Sequence, residues 1–218
     1  MTAADRAYEH TKKRILDGEY AQGRLLGEGE VSDAVGVSRT PVREAFLRLE
    51  AEGMLHLYPK RGALVVPISA ADVEDVMETR LLIERFAIGR VIELDLEIED
   101  ELTEAITAQE RHAEAGDAVA FVDADREFHR LFVVATGNAI VLRTHDSLRD
   151  QQNRMGLAAL SAGSDRMKRI LDQHREIVAA VRRRDAAEAE ALIGRHLDET
   201  LRLLRRASTA HVPQSSSS

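Results

Sequence analysis

The sequence predicts a mainly α-helical protein of two domains: a first domain over 1–70 and an all-α bundle of six helices over 71–207. The length of 218 residues suits two domains, since about 100–200 residues per domain is usual. Three of the four prolines lie in the first 67 residues. The long interval between Pro67 and Pro213 therefore lacks the residue that breaks helices. Apolar residues in this interval also recur at helical spacing.

Composition limits the class of protein. A hydrophobic fraction of 44% with a charged fraction of 31% is typical of a globular chain that buries a core. No apolar run approaches the roughly 20 residues that span a bilayer, and the N-terminal residues lack the apolar stretch of an export signal. We therefore expect a cytoplasmic location and no membrane partner. The absence of cysteine excludes disulfides and thiolate-bound metals, and leaves His, Asp and Glu as metal ligands.

The net charge of −8 is unevenly distributed along the chain. Residues 1–70 carry 10 basic and 10 acidic side chains, whereas residues 71–218 carry 20 and 28. The whole excess of negative charge thus belongs to the second domain. A neutral first domain can still bind phosphates if its cations cluster on one face.

The first domain is predicted to hold three short helices and a β-hairpin. The helices span about 4–17, 28–35 and 38–53, and in the third, Ser38 or Thr40 can cap while Pro41 suits the first turn. The segments LHLY and ALVVPI form two strands around the basic turn PKRG. A helix, a short turn, a helix and a basic hairpin occur in this order in the winged helix-turn-helix, whose second helix enters the DNA major groove.

The start of the third helix is predicted to read DNA. Its arginines suit two-point pairing with guanine or a grip on phosphate, and the hairpin tip can lie along a minor groove, where a glycine leaves room for approach. The alternative is that these arginines form only a solvated set of surface salt bridges. The predicted DNA-binding residues are Ser38, Arg39, Thr40, Arg43, Lys60, Arg61 and Gly62.

The second domain is predicted to contain six amphipathic helices, with glycines at three of the joints. A disordered tail is expected over 208–218, where apolar periodicity is absent. The predicted helices span about 72–95, 98–115, 117–136, 138–161, 164–184 and 186–207, and the joints hold Gly116, Gly137 and Gly163.

Polar residues interrupt the apolar faces of three of these helices. Asp125 and His129 are four residues apart and share one face, while His174 and His196 each lie within an apolar stripe. A single buried histidine is most often a hydrogen-bonded core residue. Three histidines and an aspartate together favour a divalent metal, which uses their lone pairs at once and keeps positions open for water or a ligand oxygen. His145 is the reserve candidate.

Two segments resemble a known family. The stretch GVSRTPVREAFLRLEAEGMLHLYPKRGALVV resembles the winged-helix signature of the GntR family, although Gly29 stands where many relatives have a basic or larger polar residue. The region from Ala71 to Ala207, with its DREFH motif and two later histidines, resembles the FCD effector domain of the FadR-like subfamily. A count of six helices resembles the VanR-type branch.

The resemblance implies roles for residues in both domains. It implies that Arg39 and Arg43 contact operator DNA. It also implies that the Asp–His cluster (Asp125, His129, His174 and His196) holds one divalent metal per chain, zinc first, with nickel or manganese as alternatives.

The resemblance further implies that Arg80 and Asn138 bind a small anionic effector, a carboxylate. Arg80 lies on an apolar stripe and so points inward, where it needs an anion. That anion can instead be Glu84, and Asn138 can simply cap the fourth helix of the second domain.

These observations predict a transcription regulator that is not an enzyme. Its binding to double-stranded operator DNA would respond to the effector at the metal site. We expect a homodimer, because recognition helices gain affinity by pairing half-sites. The alternative is a metal-dependent enzyme with an accessory DNA-binding domain, since a metal with open positions can activate water. No general base beside the ligands supports that alternative.

Overall fold

The computed structural model describes residues 1–160 and 165–210, with the side chains of 207–210 excepted. The chain divides into two compact units, Met1–Ile68 and a second unit that begins at Ser69. Among the described residues, no helix is both long enough and apolar enough to cross a membrane.

The first unit holds three helices and a small sheet. A capping box formed by Thr2 and Asp5 starts α1. The sheet is antiparallel with strand order β1-β3-β2, and its two-residue strand β1 was not predicted from the sequence. The elements are α1 (Ala3–Leu16), β1 (Leu25–Leu26), α2 (Glu28–Val35), α3 (Arg39–Ala51), β2 (Leu55–Tyr58) and β3 (Gly62–Val65).

The apolar spacing of α3 positions its exposed end. Val42, Phe46 and Leu49 are buried in the core of the first unit, where they join Leu26 of β1 and Val65 of β3. Burial of this face leaves the start of α3 in solvent.

The described part of the second unit is all helical, which confirms the predicted fold class. Seven helices lie in its described part, and α4 begins at a capping box of Ser69 and Asp72. They are α4 (Ala70–Glu93), α5 (Glu99–Glu114), α6 (Ala118–Ala135), α7 (Ala139–Ser147), α8 (Arg149–Leu160), α9 (Arg166–Arg182) and α10 (Ala186–Ala210).

The predicted helix over 138–161 was wrong in one respect, because it is two helices that meet at Leu148. The break allows α7 to pack on α4 and α6 while α8 packs on α6 and α10. Neither glycine nor proline lies at this break, so no local residue predicted it. The count is therefore seven helices in the described part, and the VanR-type interpretation, which rested on six, loses its basis.

Two predictions, the disordered tail over 208–218 and the joint at Gly163, concern residues at or beyond the ends of the described segments. Helix α10 continues to Ala210, so the backbone of 208–210 is helical. The rest of the predicted tail, 211–218, and the joint at Gly163 lie outside the described residues.

Candidate metal centre and DNA-binding surface

Three helices of the second unit bring the four predicted metal ligands together. Asp125 and His129 lie one turn apart on α6, His174 lies on α9 and His196 on α10. One donor atom from each residue falls within 4.8 Å of the others. The three histidines are buried and Asp125 is half-buried. The helical phases that turn these residues away from solvent therefore converge on one point.

Two glutamines fix the orientation of two of the rings. His174 Nδ1 lies 2.9 Å from Gln109 Oε1, and His196 Nδ1 lies 2.8 Å from Gln173 Oε1. Each glutamine also donates its amide N–H elsewhere, Gln109 to the Ala124 carbonyl and Gln173 to a carboxylate of α10. The amide oxygens must therefore face the rings, so both Nδ1 atoms donate and both Nε2 atoms keep a free lone pair.

At the third ring, that of His129, the buried carboxylate of Glu84 lies at Nδ1, where the other two rings have a glutamine oxygen. Glu84 Oε2 lies 2.8 Å from His129 Nδ1, and Glu84 Oε1 accepts a 2.7 Å hydrogen bond from Arg80 Nε. Burial raises the pKa of Glu84, but the charge of Arg80 and the hydrogen bond with His129 outweigh burial and hold that pKa far below its ordinary value. The charged carboxylate thus favours a proton on Nδ1 of His129 and leaves its Nε2 free.

The atoms that face the common point have no partner within the described residues. His129 Nε2, His174 Nε2 and Asp125 Oδ1 are all buried without a hydrogen bond. His174 Nε2 is 3.6 Å from Asp125 Oδ1, and His129 Nε2 is 4.0 Å from Asp125 Oδ2. Burial and neighbouring histidines lower the pKa values of His174 and His196 well below the ordinary value. Neutral imidazoles and a carboxylate with orphaned lone pairs fit a divalent cation.

The cluster opens on one side into a cavity between the helices. Asp125 and His196 line this cavity, together with Arg80 and Thr200. A ligand that enters the cavity can therefore reach the open side of the cluster.

The structure gives local partners to the two residues that the resemblance linked to an effector. Arg80 lines the cavity, but it is paired with Glu84, the alternative that the sequence left open. Asn138 is exposed and caps α7, since its Oδ1 accepts from the backbone N–H groups of Ile140 and Val141. His145 is buried apart from the cluster, with Nε2 4.0 Å from Glu84.

The predicted DNA-binding side chains of α3 are exposed on the first unit. Ser38, Arg39, Thr40 and Arg43 all lie at its solvent-facing start. Ser38 occupies the N-cap position but its side chain makes no cap hydrogen bond there. The guanidinium of Arg39 lies over Gly29, 3.4 Å from where a Cβ would stand. Arg43 Nε donates to Glu28 at 2.7 Å, and this pair is exposed.

The turn of the wing depends on Gly62. Its φ is +109°, and a Cβ at this position would lie 2.2 Å from the Leu26 carbonyl oxygen. From the sequence we expected this glycine to leave room for DNA to approach the wing. The structure shows that it makes room for the backbone of β1. Lys60 and Arg61 lie exposed at the tip of the hairpin.

Sequence reasoning missed the residues that surround the Asp–His cluster. Gln109 follows Leu102 and Ile106 on the buried face of α5 and is itself fully buried. A glutamine in such a stripe was a usable signal, because a buried amide needs a partner. Gln173 gave no such signal, since it is only half-buried beside His174.

Comparisons with known proteins agree with this arrangement. Residues 3–65 match the model of the bacterial regulatory proteins of the gntR family, and residues 75–199 match the FCD domain. The HTH-type transcriptional repressor RspR of Escherichia coli (strain K12) is 30% identical, over 91% of this chain and 87% of its own length. The gluconate operon transcriptional repressor of Bacillus subtilis (strain 168) is 27% identical, over 83% of this chain and 76% of its own length.

Solved structures share the fold. A GntR regulator from Rhodococcus sp. RHA1 superposes with a TM-score of 0.78 at 20% identity, covering 95% of this chain and 99% of its own. None of these comparisons supports the alternative of an enzyme with an accessory DNA-binding domain. The chain therefore belongs to the gntR family of bacterial transcription regulators, with an FCD domain as its second unit.

Proposed function

We propose that this chain acts as a homodimer whose binding to double-stranded operator DNA is controlled by a small carboxylate at a metal centre. The observation that carries the proposal is the convergence of orphaned lone pairs from Asp125, His129 and His174 beside His196. Each of the three histidine rings has an oxygen at its Nδ1 that holds its orientation, from Gln109, Gln173 or Glu84. The cluster is thus preorganised for a cation and open toward a cavity.

The four residues of the cluster would hold one divalent ion per chain. Zinc is the first choice, and nickel or manganese also suit nitrogen and oxygen ligands. The bound ion would supply Lewis-acid positions that attract carboxylate oxygens. The protein orients the rings through Gln109, Gln173 and Glu84, and it offers further donors from the cavity wall.

The start of α3 would supply sequence recognition. Arg39 and Arg43 are long, exposed donors at the end of a helix whose opposite face is buried, and the tip of the wing adds Lys60 and Arg61. A two-fold dimer would present two such helices to successive half-sites. The effector role of Asn138 and the cytoplasmic location stay predictions.

Elemental analysis tests the metal centre directly. We expect about one divalent ion per chain in protein purified without chelator, and a marked loss in His174→Ala. His56→Ala is the control, because this exposed histidine lies in the first unit. Protein that contains no metal and takes up none on titration would refute the proposal.

A further inference from the structure

The cavity beside the metal cluster carries three arginines, and two of them are already paired. Arg80 donates to Glu84, and Arg166 donates to Glu199 at 3.0 Å. Both Arg80 and Arg166 line the cavity, and each has a carboxylate within 3.0 Å, although Arg169 also contacts that of Glu199. Neither adds net positive charge for a ligand.

The third arginine, Arg126, has no such strong partner among the described residues. Its side chain is 13% exposed, and its nearest carboxylate, that of Glu127, is 3.9 Å away. Glu127 is 46% exposed and also contacts Arg130 at 3.4 Å. An exposed and shared contact of this length contributes little. Arg126 Nε is buried without a hydrogen bond.

The charges around Arg126 do not supply the missing counterion. Arg149 and Arg130 face it as cations, and Glu127 and Asp123 face it as acids, so the neighbours offset one another. Asp123 in addition accepts a hydrogen bond from Asn153.

Two consecutive residues of α6, Asp125 and Arg126, both line the cavity. Asp125 would neutralise one of the two charges of a divalent ion, and Arg126 contributes another positive charge. The cavity would therefore hold a surplus of two positive charges at two separate places. The wall that completes it is apolar and includes Val76, Met77, Phe121, Met155, Ile170 and Leu204.

We propose that the effector is a dicarboxylate with an apolar middle, which places one carboxylate at the metal and the other on Arg126. This inference rests on the proposed metal centre and narrows the carboxylate to one class. An arginine fork binds a carboxylate through two charge-assisted hydrogen bonds, and the apolar wall suits a chain of methylene groups between the two ends.

Calorimetric titration of the metal-loaded full chain tests this inference with matched acids. The probes are succinate, adipate and suberate, each compared with the monoacid of equal length: butyrate, hexanoate and octanoate. We expect at least one dicarboxylate to bind about tenfold or more tightly than its monoacid, because its second carboxylate gains charge-assisted hydrogen bonds from Arg126. Arg126→Gln should abolish this preference, so that each dicarboxylate binds about as tightly as its monoacid. Arg126→Lys should restore part of it.

The control is Arg149→Gln, which removes the same charge from an exposed neighbour outside the cavity lining. It should keep the preference for the dicarboxylate. Equal affinity for diacid and monoacid in the wild type, or an unchanged preference in Arg126→Gln, overturns the dicarboxylate inference while the metal centre stands. Failure of every acid to bind metal-loaded protein overturns the carboxylate effector itself.

Discussion

At the scale of single residues, the Asp–His cluster includes an outer layer of atoms that hold its rings in place. Each histidine ring has an oxygen at its Nδ1, and these oxygens belong to Gln109, Gln173 and Glu84. Only Glu84 is charged, so it raises the electron density on His129 more than an amide can. Glu84 also accepts a hydrogen bond from Arg80, which links the cavity wall to His129.

Replacement of Glu84 is therefore expected to weaken metal binding. Glu84→Gln should lower metal affinity about 10- to 100-fold, as outer-shell changes typically do. A chelator competition titration measures this, and Glu110→Gln, at an exposed carboxylate, is the control. If Glu84 acts through His129, the same substitution should cost little more in a His129→Ala background. Full additivity of the two losses would show that Glu84 acts in another way.

Gly62 carries the second prediction at this scale. Gly62→Ala places a methyl group against the Leu26 carbonyl oxygen and forces a positive φ on alanine, with a cost of about 1–3 kcal/mol for the backbone alone. The wing should loosen, and affinity for DNA should fall in a fluorescence anisotropy titration. Gly23→Ala is the matched control, since its φ is +78° but nothing lies within 4 Å of its Cβ. Equal losses in both variants would mean that the clash is not what matters.

At the scale of elements, α3 was predictable because its apolar and basic residues separate onto two faces of a helix. Val42, Phe46 and Leu49 recur at helical spacing, so the arginines between them had to face solvent. The pair of β1 with β3 was not predictable, because Leu25 and Leu26 are too few to show a period. The break at Leu148 was also hidden, since packing of α7 and α8 on different neighbours imposes it and no local residue does.

Loss of the α3 arginines should weaken operator binding. If Arg39 and Arg43 contact bases, Arg39→Ala and Arg43→Ala should each weaken the free energy of operator binding by about 1–3 kcal/mol and relax the sequence preference. If they contact phosphates, each substitution should instead make operator affinity less dependent on salt concentration. The exposed pair of Arg43 with Glu28 should not prevent this, because such pairs contribute little. Anisotropy titrations at several salt concentrations measure both effects. Arg14→Ala on α1 serves as the control, and unchanged operator affinity in both folded α3 variants would refute the role of this helix.

Helix α7 carries a prediction about pH. Burial lowers the pKa of His145 to about 4 from its ordinary 6.5. The unfolded chain therefore binds a proton between these values while the folded chain does not, so the free energy of unfolding should fall as pH falls through this window. Urea unfolding of chelator-treated protein should show a shallower fall in His145→Gln than in wild type. His56→Gln, at an exposed histidine, should leave the slope unchanged. Identical slopes in all three proteins would contradict the assignment.

At the scale of the whole molecule, the chain separates two tasks. The first unit has its own apolar core beneath α3 and the wing, and the metal cluster lies entirely within the second unit. The inward positions of the four cluster residues could be predicted from the helical spacing of the apolar residues around them. The surrounding residues Glu84, Gln109 and Gln173, and the cavity residue Arg126, could not be predicted, because their contacts depend on how α4, α5, α6 and α9 pack together. A substitution in the Asp–His cluster should therefore leave operator affinity without effector intact and alter only the response of that affinity to the effector.

The most direct test of this account is an anisotropy titration of operator DNA, selected from a random pool, against metal-loaded wild type and His174→Ala. Each protein is titrated with and without the dicarboxylate series. We predict equal operator affinity for the two proteins in the absence of acid, because the variant leaves the first unit unchanged. With acid present, the affinity should change in the wild type alone. An identical response in His174→Ala, or no response in metal-loaded wild type to any of the acids, would contradict control of DNA binding from the metal centre.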